Sequence, residues 1–198
     1  MSRLILASGS HSRQAMLRAA GVNFTVQAAD IDERAMTRML LSQGKDAGAV
    51  ALALAEQKAL AVSRQNPGDL VLGGDSVLSF GRELISKSPD LAALKAELCR
   101  LSGKTHLLIS AAALAQGGQV IWRHVEEARM TMRTLSEAFL DDYLAREGEA
   151  VLGSVGGYRF EGLGVQLFDS AEGDFFTILG LPLLPVLKEL RVQGWLPT

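Results

Sequence analysis

The chain has 198 residues, 48% hydrophobic and 21% charged, a mixture that suits a folded globular protein and excludes a disordered one. Its 20 Lys and Arg nearly balance 22 Asp and Glu, and a net charge of −2 argues against a polycation that coats nucleic acid. Leu4 to Ala7 reads as a short buried strand, Ser8-Gly9-Ser10 as a turn, and His11 to Ala20 as a helix stopped by Gly21. Val22 to Ala28 reads as a second strand that leads into the acidic stretch Asp30 to Glu33, itself read as a solvated loop. Asp46 caps a long Ala- and Leu-rich helix to about Arg64, closed by Asn66-Pro67-Gly68. Leu70 to Leu72 is a buried strand that ends in Gly73-Gly74-Asp75, and Ser76 to Phe80 with Glu83 to Ile85 forms a hairpin about Gly81-Arg82. Asp90 caps a helix to Leu101, in which Cys99 is expected as a buried thiol beside Leu94 and Leu98. His106 to Ala115 and Gln119 to Met132 pair as a long hairpin, and Ser136 caps a helix that ends near Gly148. Leu163 to Phe168 reads as a strand, and Pro182 sits near the start of the last helix. Helices alternate with strands but hairpins interrupt them, so the fold class is α/β with a mixed sheet, in a single domain over 1–198.

Three places could carry chemistry. At Ser8-Gly9-Ser10 a strand meets a helix N-terminus, whose free N–H groups suit a phosphate, and Arg13 lies one turn further on. Taken alone, that segment reads more simply as a Ser10 cap and a solvated arginine. Asp75 follows a buried strand, where an open α/β sheet places its ligands, and with an acid from Asp30 to Glu33 it could hold magnesium. Lys58 and Lys87 are each ordinary surface lysines alone, but with Arg13 they would offset a triphosphate. One cysteine excludes an internal disulfide and a multi-thiolate zinc site, and His106 and His124 lack ligand spacing. No P-loop and no Gly-x-Ser-x-Gly elbow is present. No apolar run approaches the roughly 18 residues of a membrane span, so a cytoplasmic protein without membrane or nucleic-acid partner is expected.

These pieces, in this order, resemble the Maf family of nucleoside triphosphate pyrophosphatases, relatives of the inosine-triphosphatase-like enzymes. The resemblance rests on Leu6-Ala7-Ser8-Gly9-Ser10 with Arg13, on Asp32-Glu33, on Ala55-Glu56-Gln57-Lys58-Ala59 and on Gly73-Gly74-Asp75-Ser76. It continues through Lys87-Ser88-Pro89, Leu101-Ser102-Gly103 with His106, Gly156-Gly157-Tyr158 with Glu161-Gly162, and Gly180-Leu181-Pro182. It implies an elongated mixed central sheet with flanking helices and two lobes around a cleft. The implied reaction cuts a nucleoside triphosphate to the monophosphate and pyrophosphate with a divalent metal, Mg or Mn, and the implied assembly is a homodimer. Asp75 would accept the proton of the attacking water and touch the metal, with Glu33 rather than Asp32 as the other metal ligand. Ser8, Ser10, Arg13, Lys58 and Lys87 would hold the triphosphate, and Ser12, Ser76 and Glu161 would bear on the base.

The sequence also departs from the family pattern. His11 replaces the family's usual proline, Ser12 stands where many members carry Arg or Trp, and Ser88 separates Lys87 from Pro89. Glu161 stands where dTTP/UTP-type members have glutamine and resembles the subgroup acting on 7-methyl-GTP, whose carboxylate could pair with a cationic methylated guanine. Ser12 lacks the aromatic ring of that subgroup. The substrate expected is 7-methyl-GTP or another modified nucleotide, with a dTTP/UTP-type enzyme or a non-hydrolysing nucleotide sensor as alternatives.

Overall fold

Seven strands form one mixed sheet, seen in a computed structural model that describes residues 2–197. Met1 and Thr198, the ends of the expected single domain, lie outside the described residues. The sheet order is β2 (Thr25–Val26), β1 (Leu4–Leu6), β3 (Leu70–Phe80), β5 (Thr105–Gln116), β6 (Gln119–Met132) and β7 (Phe168–Glu172). A short β4 (Glu83–Ile85) pairs with the far end of β3. β1 pairs in parallel with β2 and with β3; all other strand pairs among the described residues are antiparallel. The mixed sheet expected from the hairpins is therefore present.

Alternation along β3 decides what lies on each side of it. Leu70 and Leu72 enter a cluster with Met16 and Leu17 of α1 (His11–Ala19) and with Val186 and Leu190 of α7 (Leu183–Val192). Val71 faces the other way, into the Ala-rich side of α3 (Ala47–Gln65), where Val50, Leu54, Ala55 and Ala59 are buried. The distal halves of the strands belong to a third cluster under α4 (Leu91–Leu101) and α5 (Glu137–Glu147), with Leu94, Leu98, Leu140 and Tyr143 at its centre. Long strands thus run through two helix-covered lobes. Among the described residues no helix is long and apolar enough to cross a membrane.

Five local expectations are corrected. Gly73-Gly74-Asp75 does not end a strand; β3 runs unbroken to Phe80 because β5 pairs with it residue by residue from Leu70 to Ser79. The stretch after Asp30 is not all loop, since Asp32 accepts a hydrogen bond from the Ala35 N–H and caps α2 (Glu33–Ser42). Leu163 to Leu167 is a tight 3-10 turn, not a strand: Gly164 packs against the Arg159 backbone, and the sheet resumes only at Phe168. Cys99 is exposed, because α4 buries Leu94, Leu98 and Leu101 and turns the thiol outward. The second strand also shortens to Thr25–Val26, the residues that meet Ile5 and Leu6 of the three-residue β1.

The contact between α3 and β3 is unusually close. A Cβ at Gly73 would lie 2.1 Å from the Ala55 carbonyl oxygen and 2.8 Å from the Ala59 nitrogen, both backbone atoms that cannot step aside. Gly73→Ala is therefore expected to destabilise the fold by about 3 kcal/mol or more in urea unfolding. Gly68→Ala, where a Cβ meets nothing within 4 Å, should change stability by well under about 1 kcal/mol. Equal effects at the two glycines would contradict this packing.

Candidate active site

The cleft opens where β3 loses a neighbour. β1 pairs with β3 only as far as Leu72, and β4 joins the same strand only from Leu78. Between them the strand carries Gly73 to Val77 past a gap in the sheet, at the carboxyl end of the parallel pair β1 and β3, the position where open α/β sheets bind ligands. A cavity of about 1550 Å³ fills the gap. It is walled by the β1–α1 turn, α2, the segment after β4, the turns around Val155 to Glu161 and the chain before Gly180.

The pleat gives Asp75 and Ser76 opposite faces and different partners. Asp75, on the α3 side, accepts a hydrogen bond from Lys58 Nζ at 2.7 Å, and Lys58 also reaches a carboxylate oxygen of Glu33 at 3.0 Å. The Lys58 and Asp75 side chains are each only 9% exposed, so this is a buried pair, whereas Glu33 is half exposed at the cleft. Lys58 gets there because Gly73 lets α3 approach β3 closely. Burial pushes the Asp75 carboxyl above the ordinary carboxylate range, and the Lys58 and Arg13 cations oppose that rise without cancelling it. Asp32 is committed to its cap, so Glu33 is the acid that meets Asp75 through Lys58.

Ser76, on the other face, belongs to a network centred on Arg13. Arg13 is buried; its Nε donates to the Gly180 carbonyl at 2.7 Å, Nη1 to Ser8 Oγ at 3.1 Å and Nη2 to Ser76 Oγ at 2.9 Å. Burial lowers its pKa, against the pull of Asp75 and Glu33. The guanidinium therefore ties the β1–α1 turn, β3 and the chain before α7 into one wall. Ser10 accepts weakly from the Arg13 N–H at 3.4 Å and caps α1, while its own N–H donates to Ser8 Oγ. Ser110 Oγ lies 2.9 Å from Ser76 Oγ and donates to the Thr177 carbonyl, which secures the same wall from β5.

All the expected site residues line this cleft, but they do not all touch. Ser8, Arg13 and Ser76 form one bonded group, and Glu33, Lys58 and Asp75 form another. Ser12, Lys87 and Glu161 line the walls, with Lys87 and Glu161 exposed. Lys58 and Arg13 are not the solvated charges that either would be if read alone. Sequence reasoning missed Ser110, Thr177 and the Gly180 carbonyl, the first visible only as one hydroxyl in an alanine-rich strand. It also missed Arg34 and Arg38, which α2 turns toward the cleft; the signal was there in Met36 and Leu40 at helical spacing after a capping Asp32.

The donor set suits a hard divalent cation. Lys58 engages one oxygen of Asp75 and one of Glu33, so the other carboxylate oxygen of each is available to the cleft. No group of three or more His, Cys, Asp and Glu residues with metal-ligand placement occurs among the described residues. Two carboxylates that leave the remaining positions to water and phosphate oxygens match magnesium, which is rarely held by an all-protein cage.

The family model for Maf-like proteins matches residues 3–193. A protein of Brucella abortus biovar 1 (strain 9-941) named 7-methyl-GTP pyrophosphatase is 50% identical over 189 residues, 96% of this chain and 95% of that protein. One of the same name from Mesorhizobium japonicum is 51% identical over 192 residues, covering 97% of this chain and 96% of its own length. A protein of Paramagnetospirillum magneticum named nucleoside triphosphate pyrophosphatase is 48% identical over 190 residues, 96% of this chain and 98% of its own.

Removing one partner of a buried ion pair strands the other, which typically costs more than the pair contributed. Lys58→Met should therefore destabilise the protein by about 3 kcal/mol in chemical denaturation. Adding Asp75→Asn to it should recover a large part of that loss. A double variant as unstable as the sum of its single variants would show that the two side chains do not interact.

Proposed function

This chain belongs to the Maf family, and on that premise we propose that its cleft hydrolyses a nucleoside triphosphate to the monophosphate and pyrophosphate, with Asp75 taking the proton from the attacking water. The observation that carries this reading is a buried carboxylate on the cleft floor whose burial makes it more basic than an ordinary aspartate, while Lys58 holds it in place. A general base needs both a fixed position and a raised proton affinity. The relatives named nucleoside triphosphate pyrophosphatase and 7-methyl-GTP pyrophosphatase, aligned over nearly the whole chain, support the same reaction.

The roles follow from the placement of each group. Water bound to the uncommitted oxygen of Asp75 loses a proton to it as its oxygen attacks the α-phosphorus, and the bond to the bridging oxygen of the pyrophosphate breaks. Lys58 keeps Asp75 oriented and offsets the negative charge of the two acids. Ser8 and Ser10, at the start of α1, offer hydroxyls and a helix N-terminus to the phosphates, with Arg13 fixing that turn and adding positive charge behind it. Lys87, on the segment after β4, lines the same cleft and adds a further positive charge. Glu33 and Asp75 would hold a divalent cation, Mg or Mn, which when bound neutralises charge that builds on the phosphate oxygens. The reaction so described needs positioning and charge stabilisation and no covalent intermediate.

For the base, we take a purine carrying a positive charge, as in 7-methyl-GTP. Glu161 on the cleft wall offers a carboxylate to such a ring, which a glutamine in its place would not, and two relatives about half identical to this chain carry that substrate in their names. We place the reaction in the cytoplasm, where nucleotide triphosphates are held.

Purified protein with magnesium and 7-methyl-GTP should release pyrophosphate and the monophosphate in equal amounts; no release from any triphosphate in a broad panel would overturn the reading. Asp75→Asn should lower kcat by at least about 100-fold while the circular dichroism spectrum stays unchanged. Glu161→Gln should reduce the preference in kcat/KM for 7-methyl-GTP over GTP by about fivefold, the worth of one partly solvated charge pair. An unaltered ratio would remove Glu161 from base selection.

A further inference from the structure

Helix α2 is fastened to the body by Leu40, with Met36 beside it, in the apolar cluster under α3. Its opposite stripe, Arg34, Thr37, Arg38 and Leu41, follows the spacing of one helix face, and all four residues line the cleft. Both arginines are exposed, and neither forms an ion pair with another described residue.

That freedom sets them apart from most cleft cations. Lys58 is shared between Asp75 and Glu33, a trio with a surplus of negative charge. Arg13 spends three N–H groups on Gly180, Ser8 and Ser76, and Arg159 is bound to Glu147 at 2.7 Å. A bound polyanion therefore finds uncommitted positive charge mainly on Arg34, Arg38 and Lys87. Two guanidiniums one helical turn apart present paired donors that match the oxygens of adjacent phosphates. The same pair is wrong for a cationic purine, which the carboxylate of Glu161 on another wall would attract.

Position agrees with charge. α2 begins at Glu33, which is bonded to Lys58 beside the reaction centre, and Arg38 lies roughly 7.5 Å further along the axis at 1.5 Å per residue. Resting on the pyrophosphatase reading above, we infer that Arg34 and Arg38 seat the two terminal phosphates, the part of the substrate that leaves as pyrophosphate. Affinity for the leaving group and for the triphosphate over the diphosphate then resides on α2, apart from the base site and from Asp75.

The test is calorimetric titration with magnesium pyrophosphate, run beside steady-state kinetics. Arg34→Gln with Arg38→Gln keeps long polar side chains on an exposed helix face and should leave the thermal transition in place. It should weaken pyrophosphate binding at least tenfold, raise KM for the triphosphate by a similar factor and shrink the preference for triphosphate over diphosphate. Arg191→Gln removes a like charge at the end of α7, away from the cleft, and should leave pyrophosphate affinity within twofold. Unchanged affinity in the double variant, no measurable binding to the wild type, or an equal loss in Arg191→Gln would each overturn the inference. A wild type that binds pyrophosphate through these arginines but turns over no triphosphate would instead overturn the reaction and leave the anion seat standing.

Discussion

A single ammonium, that of Lys58, sits 2.7 Å from Asp75 and 3.0 Å from Glu33 beneath the cleft, and much of the surrounding architecture is what that contact requires. A lysine in the middle of a helix that covers a sheet would ordinarily extend to solvent. Here it is drawn down because α3 rides on β3 at a place where the strand has no side chain at Gly73 and the helix has only Ala55 and Ala59. Two residues further along the same face of β3 stands Asp75. A buried carboxylate without a counter-charge would take up a proton; with Lys58 beside it the charge can persist even though burial raises its proton affinity. The close backbone packing and the chemistry are thus one feature.

The opposite face of β3 is organised by the second buried cation. Arg13 acts as a tie rod: it joins Ser8, Ser76 and Gly180, three positions far apart in sequence, into one cleft wall. The cleft cations fall into two groups by their partners. Buried Lys58 and Arg13 have fixed acceptors and set the geometry, and exposed Arg159 is held by Glu147, whereas Arg34, Arg38 and Lys87 are exposed on the cleft walls and free to meet an anion.

Much of this was legible in the residues before any coordinates. The caps Ser10, Asp46, Asp90 and Ser136 each accept the expected backbone N–H, because a short oxygen-bearing side chain ahead of an apolar helical pattern has few other uses. The long hairpin of β5 and β6 followed from an apolar run before Gly117-Gly118 and an alternating segment after it, with positive φ at both glycines. The cleft residues came from a resemblance in motif order, and they do share one cavity. What local pattern could not supply was partnership. Gly73-Gly74 looks like a turn unless β5 is known to pair across it, and Leu163 to Leu167 looks like the start of a strand unless it is known that sheet pairing begins only at Phe168. Cys99 shows the same limit at the scale of one helix, since apolar neighbours in sequence do not say which side of α4 is covered.

The central claim is that Asp75, made more basic by burial and steadied by Lys58, is the base that activates water. It can be tested by following the Asp75 carboxyl carbon by NMR as a function of pH, alongside the pH dependence of kcat/KM. Burial disfavours the anion, so the carboxyl should titrate above the ordinary aspartate value of about 4. Activity needs the ionised form and should fall as pH drops through that same raised value, which Lys58→Met should push higher still. A carboxyl that titrates at its ordinary value, or an acid limb that stays put when the Asp75 titration moves, would contradict the account.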